Sequence, residues 1–409
     1  MMTGASVAQG LVIISAPLLT RLYSPEAFGI LALFLSISSI FAVVSSARYE
    51  MAIMLPGENH EAANIMVLAT IIVCLLSGLS LLAVAFYRLP IAKSLKAPEL
   101  TSWLWWIPAS ILMTGLVQVF SVWIIRKKHF SLLAASKVSS SMAWAGVQVG
   151  AGYMTGGGPG GLVAGQLVGQ MVGTAILGER VWREDHRNLS KWVRIETMWQ
   201  QARIYYRFPL LDTWATLANI GAHQLQPLLL NQFFDSTTVG YYFLGYRVLN
   251  FPIGFISGSI SQVFFQRYEE KRHSSGKVEF LWRNIKFLTL IAFFPGLFLL
   301  IFAPMLFKIA FGANWVIAGK YVQILTPMLF FRFIASPLSS VLWSEGKNSW
   351  FLLWQISFLI FTVVIFMIGG LLRDINLTLI LFSLSSSIIY LVFLYLLIKA
   401  ASQTGIVKD

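Results

Sequence analysis

Charge is what this chain of 409 residues has least of. Asp, Glu, Lys and Arg make up 11% of it, 57% is hydrophobic, and the mean hydropathy is +0.73. A soluble chain carries roughly a quarter of its residues as charges, so a soluble globular protein is excluded. Cysteine is almost missing. The single Cys74 allows no internal disulfide and no thiolate metal cluster, and inside an apolar run it reads as a small packed or lipid-facing residue. No basic segment with a small-residue cleavage site opens the chain, so no removable signal peptide is expected. Acidic residues number 17 against 30 basic ones, a net charge of +13. In a membrane protein that excess is explained by basic cytoplasmic loops, and nucleic acid is not implied.

What the sequence has instead is a series of apolar runs, each long enough at roughly 20 residues to cross a bilayer. About twelve spans are read: 2–20, 26–46, 62–86, 101–125, 130–153, 159–178, 208–232, 237–266, 285–306, 316–343, 349–371 and 374–400. One set of alternate loops, with the tail residues Lys399 and Lys408, carries twenty Lys and Arg; the other set carries six. Because basic loops stay inside, both termini are expected in the cytoplasm. The longest connection, 179–207, is basic and aromatic and is expected to lie on anionic headgroups as a cytoplasmic linker.

That linker divides the chain into halves that echo each other. Pro17–Gly29 reads PLLTRLYSPEAFG and Pro227–Gly240 reads PLLLNQFFDSTTVG, with one extra residue in the second. Each joins the first two spans of a half, and the overlay also places Ala8-Gln9 on Ala218-Asn219. Spans one and seven run in the same direction, which implies parallel six-helix repeats related by an axis along the membrane normal. The expected fold is therefore all-α and polytopic, with lobes at 1–178 and 208–409 on either side of the linker.

The stretches PLLTRLYSPEAFGILALF, ARYEMAIMLP and YRVLNFPIGFISGSISQVFFQR also have a familiar wording. Along nearly its whole length the chain resembles the Wzx-type oligosaccharide flippases of bacterial polysaccharide synthesis. These share a superfamily with multidrug MATE exporters and the lipid II flippase. The resemblance implies two lobes around a central cavity opened alternately to either side of the bacterial inner membrane. It implies a substrate too, an oligosaccharide on undecaprenyl pyrophosphate, with polysaccharide polymerase, chain-length and ligase proteins as partners. Members usually carry further residues before the first span, which here begins almost at once.

Polar side chains inside spans should face a cavity or other helices, since lipid cannot satisfy them. Asp212, Thr216, Asn219, His223 and Gln226 fall within an arc of roughly 80° on span seven and are read as a pathway wall. Two readings stand for each of the titratable pair. Asp212 either complements the helix dipole or pairs with Arg207, or it couples transport to an ion; His223 is either hydrogen-bonded between helices or responds to protons. Gln226 either lines the cavity or caps backbone groups freed by Pro227. The intramembrane cations point to an anionic ligand. Arg247 and Arg332 lie too deep to snorkel easily, and exposing a guanidinium at a helix centre costs at least ~2.5 kcal/mol. Arginine suits pyrophosphate because its planar fork makes bidentate bonds, against the alternative of pairing with polar groups across helices. Lys137 and Lys320 lie nearer helix ends, and Lys137 is kept as a further substrate candidate. Tyr246 and Asn250 share a face beside Arg247, although interface belts account for most of the aromatics.

A MATE-like exporter of cationic drugs fits less well, as span one has no carboxylate. A membrane polymerase or ligase would need acid–base or metal chemistry on a sizeable loop, and no such spacing is present. No cofactor is expected; a proton or sodium gradient is the energy source left open.

Overall fold

The computed structural model describes residues 2–272, 274 and 276–403, with the backbone alone at 2–7, 215, 251, 252 and 255. Lys408 lies outside the described residues. Among them, twelve helices reach 20 residues or more: α1 Met2–Leu22, α2 Pro25–Val44, α3 Asn59–Ser94, α4 Ile107–Arg126, α5 Phe130–Thr155 and α6 Pro159–Trp192, then α7 Thr213–Phe233, α8 Ser236–Lys271, α9 Lys277–Phe311, α10 Val316–Ala335, α11 Asn348–Leu372 and α12 Ile375–Ser402. Each expected span has its helix. Eight are both long and apolar enough to cross a membrane on length and composition alone. Of the other four, α1 is apolar over Ala8–Leu22 but shorter there, and α5, α7 and α8 carry more polar residues along their length.

Two elements differ from expectation. The 179–207 connection is largely helical: α6 runs on to Trp192, held by Glu179–Arg183 and Glu184–Arg180 pairs one turn apart. A separate helix, Ile195–Ile204, follows. It leaves Ile195, Trp199 and Ile204 exposed beside Arg194 and Arg203, the pattern of a helix lying in a membrane interface. The tenth span ends at Ala335, where Pro337 turns the chain into a 3-10 turn and a short helix, Ser340–Ser344.

The chain divides into two compact units, 1–240 and 241–409. The first takes in α7, which the duplication assigns to the second copy, because α7 packs along α2. Its core gathers Met66, Val73, Val119, Trp123, Leu177 and Val181 from α3, α4 and α6. Gly161, Gly165, Gly169 and Gly173 recur every fourth residue on α6 and bring it against α5 and Tyr23. The first corner is anchored by Tyr23, whose buried hydroxyl donates to the Gln148 carbonyl at 2.5 Å.

The two corners meet. Ser24 caps α2 by accepting from the Ala27 N–H at 3.2 Å, and Asp235 caps α8 by accepting from the Thr238 N–H at 2.6 Å. Pro25 and Gly29 correspond to Ser236 and Gly240 in the overlay of the repeats. Gly29 lies against the Ser236 carbonyl and Gly240 against the Pro25 carbonyl, so closely that a Cβ on either would overlap backbone. The fully buried Asn231 fastens the same place, donating to the Leu95 carbonyl and accepting from the Ser236 hydroxyl.

In the second unit Trp354 and Phe358 of α11 pack on Tyr390 and Phe393 of α12, the Trp354 and Phe393 rings 4.3 Å apart. At one end Glu345 is buried between the Lys277 ammonium at 3.0 Å and the Tyr268 hydroxyl at 2.8 Å. Burial, and then the bond to Glu345, pushes the Tyr268 phenol up. Removing one partner of such a pair leaves an uncompensated buried charge, at about 3–5 kcal/mol. Glu345→Ala is therefore expected to lower thermal stability sharply in detergent, and Lys277→Met combined with Glu345→Leu to restore most of it.

Candidate functional site

Arg332 is the centre of a polar cluster in the second unit. It is half-buried on α10, five residues after the helix-internal Pro327, and its Nη1 donates to the Tyr246 hydroxyl at 2.5 Å. The guanidinium lies 5.8 Å from the centre of the same ring, within cation–π range. Tyr242, one turn earlier on α8 and 2% exposed, stacks on Tyr246 at 5.5 Å. Tyr390 of α12, 5% exposed, is close enough to interact electrostatically with Arg332. Among the described residues, no carboxylate pairs with this guanidinium.

Its neighbours on α8 are partly committed. Arg247 lies 5.6 Å from the ring of Phe243, one turn back on its own helix. The Asn250 amide donates to the Tyr246 carbonyl at 2.9 Å, which holds the helix turn beneath the tyrosine. The structure thus brings Arg332, Tyr246, Arg247 and Asn250 onto one short stretch of α8 and the facing part of α10. Tyrosines rather than acids surround the cation, so its positive charge stays available to an anion.

The remaining candidates belong to the first unit. Asp212 closes a π-helical turn, Phe208–Asp212, that leads into α7. Its partner is Arg48 rather than Arg207: Arg48 Nε reaches it at 2.8 Å while Nη1 holds Glu50 at 3.0 Å. Arg48 sits in the left-handed region at φ 61, directly after Ala47 at φ 48, which turns the chain back so that one side chain spans both acids. Glu50, 2% exposed, also accepts from the Ser46 hydroxyl. It belongs to the ARYEMAIMLP stretch, where a lone carboxylate beside an apolar run was the available signal. Gln226 is buried and donates to the Ala222 carbonyl at 2.8 Å, one residue before the carbonyl that Pro227 leaves without its usual donor. Asn219 and His223 are half-buried on the same helix, and Lys137 is exposed on α5 beside the buried Ser136.

Asp212 is 43% exposed on its side chain, so its pair with Arg48 is worth no more than about 1 kcal/mol. Asp212→Asn is expected to leave folding nearly unchanged. If it couples transport to an ion, the same change flattens the dependence of transport on a proton or sodium gradient; if it is only a tether, the gradient response stays intact.

Three comparisons bear on what this arrangement serves. The family described as "Polysaccharide biosynthesis protein" matches residues 18–320. The chain belongs to that family. The teichuronic acid biosynthesis protein TuaB of Bacillus subtilis is 20% identical over 190 residues, which is 44% of this chain and 39% of TuaB. The chain thus spans less than half the length of this curated relative. Among solved structures, an inward-facing MATE-family multidrug transporter of the MOP superfamily has a TM-score of 0.73 at 14% identity, covering 99% of this chain and 96% of that one. The lipid II flippase MurJ, in an inward closed conformation, has a TM-score of 0.73 at 13% identity over 97% and 87%. These are transporters and a flippase, not enzymes. This polysaccharide biosynthesis protein therefore has the fold of a multi-pass membrane transporter, and its central chemical feature is a tyrosine-held guanidinium.

Proposed function

We propose that this family member flips an oligosaccharide carried on undecaprenyl pyrophosphate from the cytoplasmic to the periplasmic leaflet of the bacterial inner membrane. The observation that carries the reading is Arg332. A half-buried guanidinium is held there by Tyr246 and paired with no carboxylate among the described residues, in a chain whose family is polysaccharide biosynthesis. Charge-assisted bonds to phosphate are roughly twice as strong as neutral ones, and the planar fork suits two phosphate oxygens at once. A site for cationic drugs would invert that charge pattern. Both termini would lie in the cytoplasm.

The test is reconstitution into proteoliposomes with a fluorescent undecaprenyl-pyrophosphate oligosaccharide. The expected result is protein-dependent movement between leaflets, inhibited by excess unlabelled lipid carrier and not by cationic dyes. Dye transport with no movement of the lipid-linked sugar would favour a small-molecule exporter and overturn the proposal.

A further inference from the structure

A cavity of about 190 Å³ lies between α8, α9 and α10 of the second unit. Its floor is made by Leu249, Leu329 and Phe333, all buried, and its rim by Ile256, Ile291 and Pro295. The one hydroxyl in the lining, on Thr326, donates to the Val322 carbonyl at 2.7 Å, so the walls offer a ligand no polar group. The space exists because α9 presents Gly296 here. A Cβ at Gly296 would only touch Phe330 at 3.7 Å and Thr326 at 4.0 Å, and no side chain of α9 fills the gap. The volume is below the ~300–1,000 Å³ of pockets that enclose a whole compact ligand, so it suits a segment of a chain.

The position of the cavity decides what kind of chain. Phe333 is the residue after Arg332, and Leu249 is three residues beyond Tyr246, about 4.5 Å along the helix. On α10 the slot residue Phe333 follows the cation directly, and on α8 the slot residue Leu249 lies one turn beyond the tyrosine that accepts from that cation. The rim residues Ile256 and Ile291 and much of α9 are exposed, so the slot opens on the surface where lipid would lie. Apolar walls alone would accept any acyl chain. The adjoining guanidinium selects a chain that carries phosphate at its end.

We propose that this slot seats the phosphate-proximal isoprenoid units of the substrate's polyprenyl chain while the pyrophosphate is held at Arg332. The proposal rests on the lipid-linked reading above and adds a place for the tail. Holding the first units in a groove would fix the direction in which the headgroup enters, so that transport discriminates by the lipid as well as by its charge.

The experiment uses the whole protein in nanodiscs of phosphatidylethanolamine and phosphatidylglycerol. A polyprenyl pyrophosphate with a diazirine on its second isoprene unit is photolysed, and the modified peptides are mapped. The expected label falls on α9 and α10 around Ile291–Gly296 and Leu329–Phe333, and excess undecaprenyl pyrophosphate reduces it at least tenfold. Label spread evenly over exposed helices, or chased by added phosphatidylethanolamine alone, overturns the proposal. In Gly296→Leu and Ala292→Leu, which fill the slot, binding of undecaprenyl pyrophosphate should weaken at least tenfold while isopentenyl pyrophosphate binds as before. Equal loss for both ligands, or for neither, would remove the slot and leave the headgroup reading standing. If the unaltered protein binds undecaprenyl pyrophosphate no better than the neutral prenol of the same length, it is the headgroup reading that fails.

Discussion

Leucine at Gly29 or at Gly240 is expected to reduce transport at least tenfold, and alanine at either to lower the melting temperature by several degrees. The reason is that each glycine faces a backbone carbonyl, of Ser236 and Pro25 respectively, at a separation with no room for a Cβ. A flexible neighbouring side chain could rotate away; a carbonyl in the first turn of a helix moves only with the helix. The starts of α2 and α8 would then have to separate, breaking the Asn231 contacts to Leu95 and Ser236 that close the same place. Overpacking of this kind costs about 1–3 kcal/mol. Because the two glycines occupy equivalent positions and one crossing, the double substitution should cost much less than twice the single one. Gly78→Ala is the control: nothing lies within 4 Å of its Cβ, and alanine favours helix by up to about 1 kcal/mol. Thermal unfolding in detergent and transport in proteoliposomes measure the two effects separately. A Gly240→Leu protein as stable and active as the parent would refute the close crossing.

This crossing shows how far the sequence could be read. The twelve helices were legible because a bilayer imposes one length on every span, and apolar runs of that length are visible without any tertiary information. The corners were legible because capping residues, helix starts and glycines recur at matching positions of the two halves. That Gly29 and Gly240 reach each other's helix was not, since nothing local in PLLTRLYSPEAFG says which backbone passes in front of it. Asp212 illustrates the same limit. Sequence proximity suggested Arg207, whereas the partner is Arg48, brought in by two consecutive left-handed residues after α2. Glu50 stands between spans, and only packing shows it to be buried. Most aromatics read as an interfacial belt; the burial of Tyr242, the bond from Arg332 to Tyr246 and the approach of Tyr390 from α12 set these three apart. The cations themselves were legible, because a deep arginine is too costly to leave facing lipid.

Arg332→Ala should therefore be the most damaging single change in the second unit, and its pattern separates recognition from scaffolding. Truncating one partner of a desolvated, hydrogen-bonded charge pair costs about 2–5 kcal/mol, which corresponds to a loss of about thirtyfold or more in the transport rate at limiting substrate. Arg332→Lys keeps the charge but gives up the planar fork, so an intermediate loss of about tenfold is expected. Tyr246→Phe provides the discriminating arm. It keeps the ring that Tyr242 stacks on and removes only the hydroxyl that accepts from Arg332. If that hydroxyl holds the place a phosphate oxygen takes, transport changes by less than about threefold while stability falls by about 1 kcal/mol. If the bond's purpose is to tie α8 to α10, Tyr246→Phe and Arg332→Ala lower stability alike, and transport per folded molecule stays near that of the parent in both. Inhibition by free pyrophosphate supplies the remaining evidence: it should be strong in the parent and in Tyr246→Phe, weaker in Arg332→Lys, and absent in Arg332→Ala.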